Sequence, residues 1–358
     1  MKVIPVAKPI IDRKDIKAVV KVMKSGGLAQ GPQVARFEEQ FSELVEGRDC
    51  VAVNSGTSAL HLALISLGIG SGDEVIVPSF TFAATANSVA LTGAKPVFVD
   101  IDPLTYNIDP SHIERAITKN TKAIQEVHLY GLPADMNSIL AIAKKHNLLV
   151  VEDAAQAHLA SIHGKPVGTF GDAAAFSFYP TKNMTSGEGG MIVLKDPENA
   201  RVCKLLRNQG MEKRYQNEVV GFNLRMTDIH AAIGISQLKK VHNWTKVRQD
   251  NASYLNEKIS SVVTPFSPDG YTHVFHQYTV RIGKNRDEFS AKLTELGIGN
   301  SVYYPTQVHK LPSFNLELEL KHTEDATMQV LSLPIHPSLT KKDLSRIADA
   351  VNRVGESL

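Results

Sequence analysis

Apolar positions along the chain follow two registers. Over residues 12–24 they recur at helical spacing: Ile16, Val19, Val20 and Met23 share one face, and Gly26-Gly27 supplies a stop, so an amphipathic helix is predicted. Lys14, Lys17, Lys21 and Lys24 lie off that face and read as a solvated basic surface. A glycine-rich loop, 25–32, leads into a second helical pattern over 36–45. From residue 50 onward, short apolar runs alternate with helical stretches. Strands are predicted over 50–53, 74–77, 96–99, 123–129, 148–151, 173–178 and 191–194. Helices are predicted over 59–67, with Gly68 as its stop, over 83–91, and over 137–146 with Asp135 or Asn137 near its cap. This alternation predicts an α/β fold built on a mostly parallel sheet covered on both faces.

Near residue 240 the texture changes. Helices are predicted over 231–241 and 247–259, a strand over 275–282, a helix over 286–296, a proline-containing loop over 303–312 and a last helix over 341–354. The expected division is a large domain, 1–240, and a smaller α+β C-terminal domain, 241–358. Ligands in open parallel sheets sit beyond the carboxyl ends of the strands. Ser55, Pro78-Ser79, Asp100, His128 and Asp153 lie at or just beyond such ends.

Composition narrows the function. The 358 residues carry 39 basic and 37 acidic side chains, a net charge of +2, so no global basic field invites nucleic acid. Cys50 and Cys203 form no metal or redox motif and argue for a reducing compartment. Prolines and lysines interrupt the first twelve residues, and no uncharged apolar run reaches the length of a membrane span. A cytoplasmic protein with no membrane partner is expected.

Three segments carry candidate chemistry. Gly56-Thr57-Ser58 opens an apolar helix: Gly56 allows close backbone approach, Thr57 and Ser58 add hydroxyls, and the helix start offers unpaired N–H groups to a phosphate. A plain helix cap uses the same residues. Asp153 ends an apolar strand and can pair with a protonated pyridine nitrogen, or cap the next helix; Gln156, three residues on, can share its face. Lys182 follows the strand that holds Ser177 and precedes Gly187-Glu188-Gly189-Gly190. A lysine in that setting can hold an aldehyde cofactor as a Schiff base and shuttle a proton, provided that desolvation keeps it partly neutral. Phe82 can stack on a cofactor ring, or pack in the core. Together these are the parts needed to bind pyridoxal phosphate.

The same segments carry a resemblance. Gly31-Pro32 with Phe37-Glu38, Ser55-Gly56-Thr57, Pro78-Ser79-Phe80-Thr81-Phe82, Val127-His128-Leu129-Tyr130-Gly131, Glu152-Asp153-Ala154-Ala155-Gln156, Ser177-Phe178-Tyr179 with Lys182-Asn183, and Gly187-Glu188-Gly189-Gly190 occur in order. Gly221-Phe222-Asn223-Leu224-Arg225-Met226, Tyr303-Tyr304-Pro305 with His309, and Leu331-Ser332-Leu333-Pro334 extend the series along almost the whole chain. The chain resembles the DegT-type family of sugar aminotransferases, pyridoxal-phosphate enzymes of fold type I. The resemblance implies that Lys182 is the Schiff-base lysine, Asp153 the partner of the ring nitrogen, Gln156 a neighbour of the ring hydroxyl and Phe82 the stacking ring. It implies that Thr57, Ser58 and Ser177 contact the phosphate. It implies a homodimer with shared sites, in which Asn223 reaches the neighbouring subunit's phosphate. Tyr304 and His309 lie in a loop resembling the family's sugar-nucleotide loop, with a surface histidine as the plainer reading of His309.

Two departures matter. Many relatives carry proline where this chain has Glu126. A branch with histidine at the position of Lys182 removes a hydroxyl instead, and the lysine argues against it. The expected activity is transfer of an amine from glutamate or glutamine to a nucleotide-linked keto sugar. The Thr185–Gly190 turn resembles relatives acting at C4 of a 4-keto-6-deoxy sugar, whereas those acting at C3 often show a Gly-Asp turn. A sugar dehydratase and a non-enzymatic regulatory or DNA-binding protein on a borrowed fold are the alternatives.

Overall fold

The computed structural model describes residues 3–358. Its centre is a seven-stranded sheet of β1 (Asp49–Val53), β2 (Glu74–Pro78), β3 (Lys95–Val99), β4 (Thr121–Val127), β5 (Leu149–Asp153), β6 (Ala173–Ser177) and β7 (Gly190–Leu194). The spatial order is β1-β7-β6-β5-β4-β2-β3. Only β7 runs against the others. All seven predicted strands are present, and the mostly parallel sheet is as expected. The strand predicted to reach residue 129 stops at Val127, because Leu129–Gly131 forms a 3-10 turn in which Tyr130 takes a left-handed conformation.

Helices cover both faces. α1 (Arg13–Ser25), α2 (Pro32–Ser42), α3 (Gly56–Ser66), α4 (Ala84–Leu91), α5 (Pro110–Ala116), α6 (Met136–His146) and α7 (Pro197–Arg207) precede a 31-residue helix, α8 (Asp228–Lys258). One apolar cluster joins α3 and α4 to Val51, Val75, Val77, Val151 and Ala175 of the sheet. A second, across the sheet, joins Val34, Phe37 and Phe41 of α2 to Phe176, Phe178 and the first half of α8. Gly234 is required there, since a Cβ would lie 2.6 Å from the Phe37 ring. The two phenylalanines of α2 are fully buried, worth about 1.5–3 kcal/mol each in removed apolar surface.

The remaining chain adds α9 (Arg286–Glu295), α10 (Lys321–Gln329), α11 (Lys341–Gly355) and an antiparallel pair, β8 (Tyr278–Arg281) with β9 (Val330–Leu333). These pack around Phe289, Tyr278, Leu331 and Ile347, with Ala252 and Leu255 from the second half of α8 and Ile4 from the chain start. Two helices predicted over 231–241 and 247–259 are therefore one helix. Its inward stripe changes partner midway, from the sheet to the C-terminal core, and this interrupts the sequence period.

α1 also departs from expectation. Ile16, Val20 and Met23 are exposed, whereas Asp15 and Val22 face inward. Asp15 is drawn in by α8: its carboxylate accepts from Lys240 at 2.8 Å and Gln237 at 3.1 Å. The four lysines of α1 are exposed, as read from the sequence. Cys50 and Cys203 are buried and unbridged. Among the described residues, no helix is long and apolar enough to cross a membrane.

Candidate active site

The carboxyl ends of β1, β5 and β6 lie side by side with β7 between the outer two, so residues distant in sequence meet there. At the end of β1, Ser55 caps α3, its Oγ accepting the Ser58 N–H at 3.1 Å. The Ser58 hydroxyl donates to Asn54 Oδ1 at 2.7 Å and is thus held inside the cap. Gly56 and Thr57 present the first N–H groups of the helix, which no helical carbonyl can take. Ser177, at the end of β6, faces them: a Cβ on Gly56 would stand 2.8 Å from Ser177 Cβ. On Gly190 of β7 a Cβ would meet the Ser55 carbonyl oxygen at 2.3 Å. Glycine is thus a packing requirement at both positions, and the pair forms a narrow, N–H-rich cradle suited to an anion.

Asp153 ends β5 and is buried. Thr85 of α4 donates to its Oδ2 at 2.8 Å, and the Ala155 N–H to its Oδ1 at 3.2 Å. Thr85 is itself 2.9 Å from the Thr81 hydroxyl. Burial raises the Asp153 pKa, while these two donors and the Lys182 charge pull against it. Lys182 lies just past β6 in a turn closed by its N–H to the Tyr179 carbonyl at 2.9 Å. Desolvation brings its amine down to about 8, and the Asp153 carboxylate opposes that fall. The two groups sense each other: the carboxylate favours the charged amine, and desolvation brings that amine within reach of losing its proton near physiological pH.

Gln156 joins this pair to the C-terminal segment. Its Oε1 accepts from the Tyr130 N–H at 2.6 Å, and its Nε2 donates to the Tyr304 hydroxyl at 2.9 Å. The Tyr130 hydroxyl in turn donates to the Tyr303 carbonyl. Phe82 stands 59% exposed, with its ring 6.0 Å from that of Tyr304. An exposed ring beside buried polar groups is not core, which removes the packing reading of Phe82. His309 is not at the surface. It is fully buried, its Nδ1 2.6 Å from the Ser79 Oγ, and it pins the 303–312 loop to the end of β2. The surface-histidine reading is therefore wrong, because the loop folds over the ring. Asn223 is exposed on an extended segment beside β1, where the Asn54 N–H donates to the Leu224 carbonyl at 2.9 Å.

Thr85, Tyr130, His158 and His276 escaped the sequence reading. Thr85 lies three residues past the quoted Pro78–Phe82 segment, in the first turn of α4. His158 and His276 are buried near Lys182, whose charge adds to burial in lowering both; His158 falls to about 3. Both imidazoles are neutral, so neither neutralises Asp153.

The sequence profile of the DegT/DnrJ/EryC1/StrS aminotransferase family matches residues 9–352. The chain is 43% identical over 346 residues to a pleiotropic regulatory protein of Geobacillus stearothermophilus, covering 94% of this chain and 93% of that protein. It is 42% identical over 363 residues to the GDP-perosamine synthase of Caulobacter vibrioides, covering 98% of each. Its fold matches the S. venezuelae DesV structure in complex with a ketimine intermediate, with a TM-score of 0.94, 38% identity and coverage of 99% and 100%. A Streptococcus pneumoniae protein of the same fold, solved in PLP and PMP forms, is similar at TM-scores of 0.95 and 0.94 and 27% identity, with 99% of each chain covered. The residues present suit that cofactor: the Gly56–Ser177 cradle for its phosphate, the exposed Phe82 face for its ring, a buried carboxylate and an amine whose pKa is lowered to about 8. The chain thus belongs to the DegT/DnrJ/EryC1/StrS aminotransferase family of pyridoxal-phosphate enzymes, as a sugar aminotransferase.

Proposed function

We propose that the protein transfers an amine from glutamate to C4 of a nucleotide-linked 4-keto-6-deoxy sugar, as a homodimer with shared sites. The observation that carries the aminotransferase reading is the coupling of Lys182, lowered to about 8, with the buried Asp153. Bound at this site, pyridoxal phosphate supplies an electron sink for the carbon that loses its proton. Asp153 holds the positive charge on the ring nitrogen, and Thr85 fixes the carboxylate that does so. Lys182 accepts and returns the proton at its Nζ, which calls for an amine close to neutral. Phe82 sets the tilt of the ring. Thr57, Ser58 and Ser177 surround the phosphate, Thr57 with a helix-start N–H and Ser58 through the cap. Gln156 and Tyr304 line the ring-hydroxyl side, and Tyr304 faces the sugar.

The choice of C4 rests on the Thr185–Gly190 turn. Thr185 Oγ1 donates to the Phe178 carbonyl at 2.8 Å and accepts the Gly187 N–H at 2.9 Å, so Glu188 projects outward at the turn's tip. The C3 alternative has support of its own: a UDP-N-acetyl-3-dehydro-α-D-glucosamine 3-aminotransferase of Acidithiobacillus ferrooxidans is 40% identical. Assay with both keto classes separates them, and amine appearing only at C3 would reverse the assignment. Visible spectra of the holoenzyme before and after glutamate test the donor; bands indifferent to glutamate point to another amine source. Specific DNA binding by cofactor-free protein would favour the regulatory alternative, and loss of a sugar hydroxyl without amine transfer the dehydratase.

A further inference from the structure

β4 and β5 carry a second ionisable cluster on the sheet face opposite Asp153. Val127 pairs with Asp153 and Glu126 with Glu152. Side chains alternate across a strand, so Glu126 and Glu152 share the reverse face, and His128 follows Glu126 onto it. His128 Nε2 lies 3.2 Å from Glu126 Oε1 and 3.1 Å from Glu152 Oε2, and all three side chains are fully buried. These atoms lie within 4.8 Å of one another, close enough to suggest a metal site.

The hydrogen bonds point to a proton instead. The Ala134 N–H donates to His128 Nδ1 at 3.0 Å. That nitrogen must offer its lone pair, so the proton of the neutral ring sits on Nε2, and Nε2 has no lone pair for a metal. Glu152 accepts from Gly168 at 2.7 Å and from Phe170 and Gly171 at 2.8 Å each, besides His128. Neither oxygen of Glu126 has a hydrogen-bonded partner of good geometry. Arg48 feels Glu152 and Asp172, but its guanidinium is occupied by the carbonyls of Gly168, Thr169 and Gly171 on the far side of their loop. Two buried carboxylates without a cation between them cannot both ionise. Glu152 has four donors, and Glu126 has a carboxylate neighbour on each side of the sheet.

We propose that Glu126 is a proton-bearing carboxylic acid that acts as a positioning residue for the cofactor site: neutral, it packs against His128 and leaves intact the His128–Glu152 hydrogen bond that clamps the ends of β4 and β5 on the reverse face. Its burial, then Glu152 and Asp153, drive its pKa well up, while His128 and the loop N–H groups overcome desolvation to lower that of Glu152. What the clamp positions is the turn after His128. The His128 N–H donates to the Asp153 carbonyl at 3.1 Å, and Tyr130 in that turn holds Gln156. Ionising Glu126 puts a second anion into a closed site and disturbs the turn that presents Gln156 and Tyr304. The functional half of the inference rests on Asp153 and Gln156 being cofactor contacts; the protonation half does not.

The test compares wild type, Glu126→Gln, Glu126→Ala and Asp153→Ala. Infrared difference spectra of apoprotein at pH 7, wild type minus Glu126→Gln, are expected to show the C=O band of a protonated carboxylic acid; its absence overturns the assignment. Pyridoxal phosphate titrations should give Glu126→Gln an affinity close to wild type at pH 7, and wild type alone should lose affinity at alkaline pH as Glu126 ionises. Glu126→Ala should bind about tenfold more weakly. Wild-type affinity in Glu126→Ala, with the acid band present, would leave the proton but refute the positioning role. Should Glu126→Ala not fold, the pH profiles of wild type and Glu126→Gln decide alone, and coincident profiles refute it. Asp153→Ala should keep the acid band and lose cofactor affinity. If it binds the cofactor as wild type does, the reading of Asp153 fails and the proton on Glu126 stands.

Discussion

A desolvated lysine is costly to keep charged; the Asp153 carboxylate offsets part of that cost at Lys182, and what remains gives the residue its chemistry. Its folded pKa of about 8 lies below the ordinary 10.5, so the folded apoprotein binds fewer protons than the unfolded chain between those values. Stability from this residue therefore rises as pH climbs through 8, and the penalty is full below it. Lys182→Met should abolish turnover, a fall beyond the ~10²–10⁴-fold due to proton transfer alone. It should also stabilise the apoprotein at pH 7 by about 1–3 kcal/mol, read from denaturant midpoints. An unchanged midpoint would mean that the amine is already solvated. Gly56 sets the opposite kind of limit. Gly56→Ala drives a methyl group into Ser177, at an expected cost of about 1–3 kcal/mol, and should weaken cofactor binding more than it lowers the melting temperature. Equal losses in Gly56→Ala and a remote core variant of matched stability would deny the cradle.

At the scale of elements, two carboxylates tie separate parts of the chain together. Asp228, the first residue of α8, accepts from Gly31 at 2.8 Å, Val34 at 3.0 Å and Gln33 at 3.1 Å, so it caps α2 from 194 residues or more away. Asp100, past β3, accepts from His322 at 2.9 Å and from Thr323 N–H and hydroxyl at 2.8 Å each, so it starts α10. Asp228→Ala strands three N–H groups and should cost about 1–3 kcal/mol, with faster hydrogen exchange at Gly31 to Val34. Exchange unchanged there would show that water replaces the cap. These ties explain what the sequence withheld. The sheet was legible because each strand is buried by local neighbours and reads as a continuous apolar run. α10 and β9 were not, since Thr323, Ala326 and Thr327 carry weak apolar signals and the helix start is supplied by Asp100. The inward face of α1 was misread because a buried ion pair with Lys240, not an apolar stripe, fixes it. At the site, Asp153 and Lys182 were visible from strand ends, whereas His309 went inward for a partner, Ser79, 230 residues away.

The whole molecule leaves apolar side chains uncovered where a second copy is proposed to sit. Tyr215, Val219, Val220 and Phe222 are exposed along the segment leading to Asn223, Val220 by 93%. Asn223 is exposed on the segment that pairs with the end of β1 through Arg225 and Val53. In a two-fold dimer, each site would then draw Lys182 from one subunit and Asn223 from the other. This arrangement predicts complementation. Lys182→Ala homodimers lack the lysine at both sites, and Asn223→Ala homodimers lack the asparagine at both. When the two are unfolded together and refolded, half of the dimers are mixed, and in each of those one site carries both native residues while the other carries neither. Activity should therefore return to roughly a quarter of wild type in a one-to-one mixture. The control is Lys182→Ala mixed with Asp153→Ala, whose residues come from the same subunit: no site in any dimer escapes both losses, so activity stays at the floor. No recovery in the test pair, with mixed dimers demonstrated by differently tagged chains, would mean that each subunit works alone and that the exposed apolar segment serves some other contact.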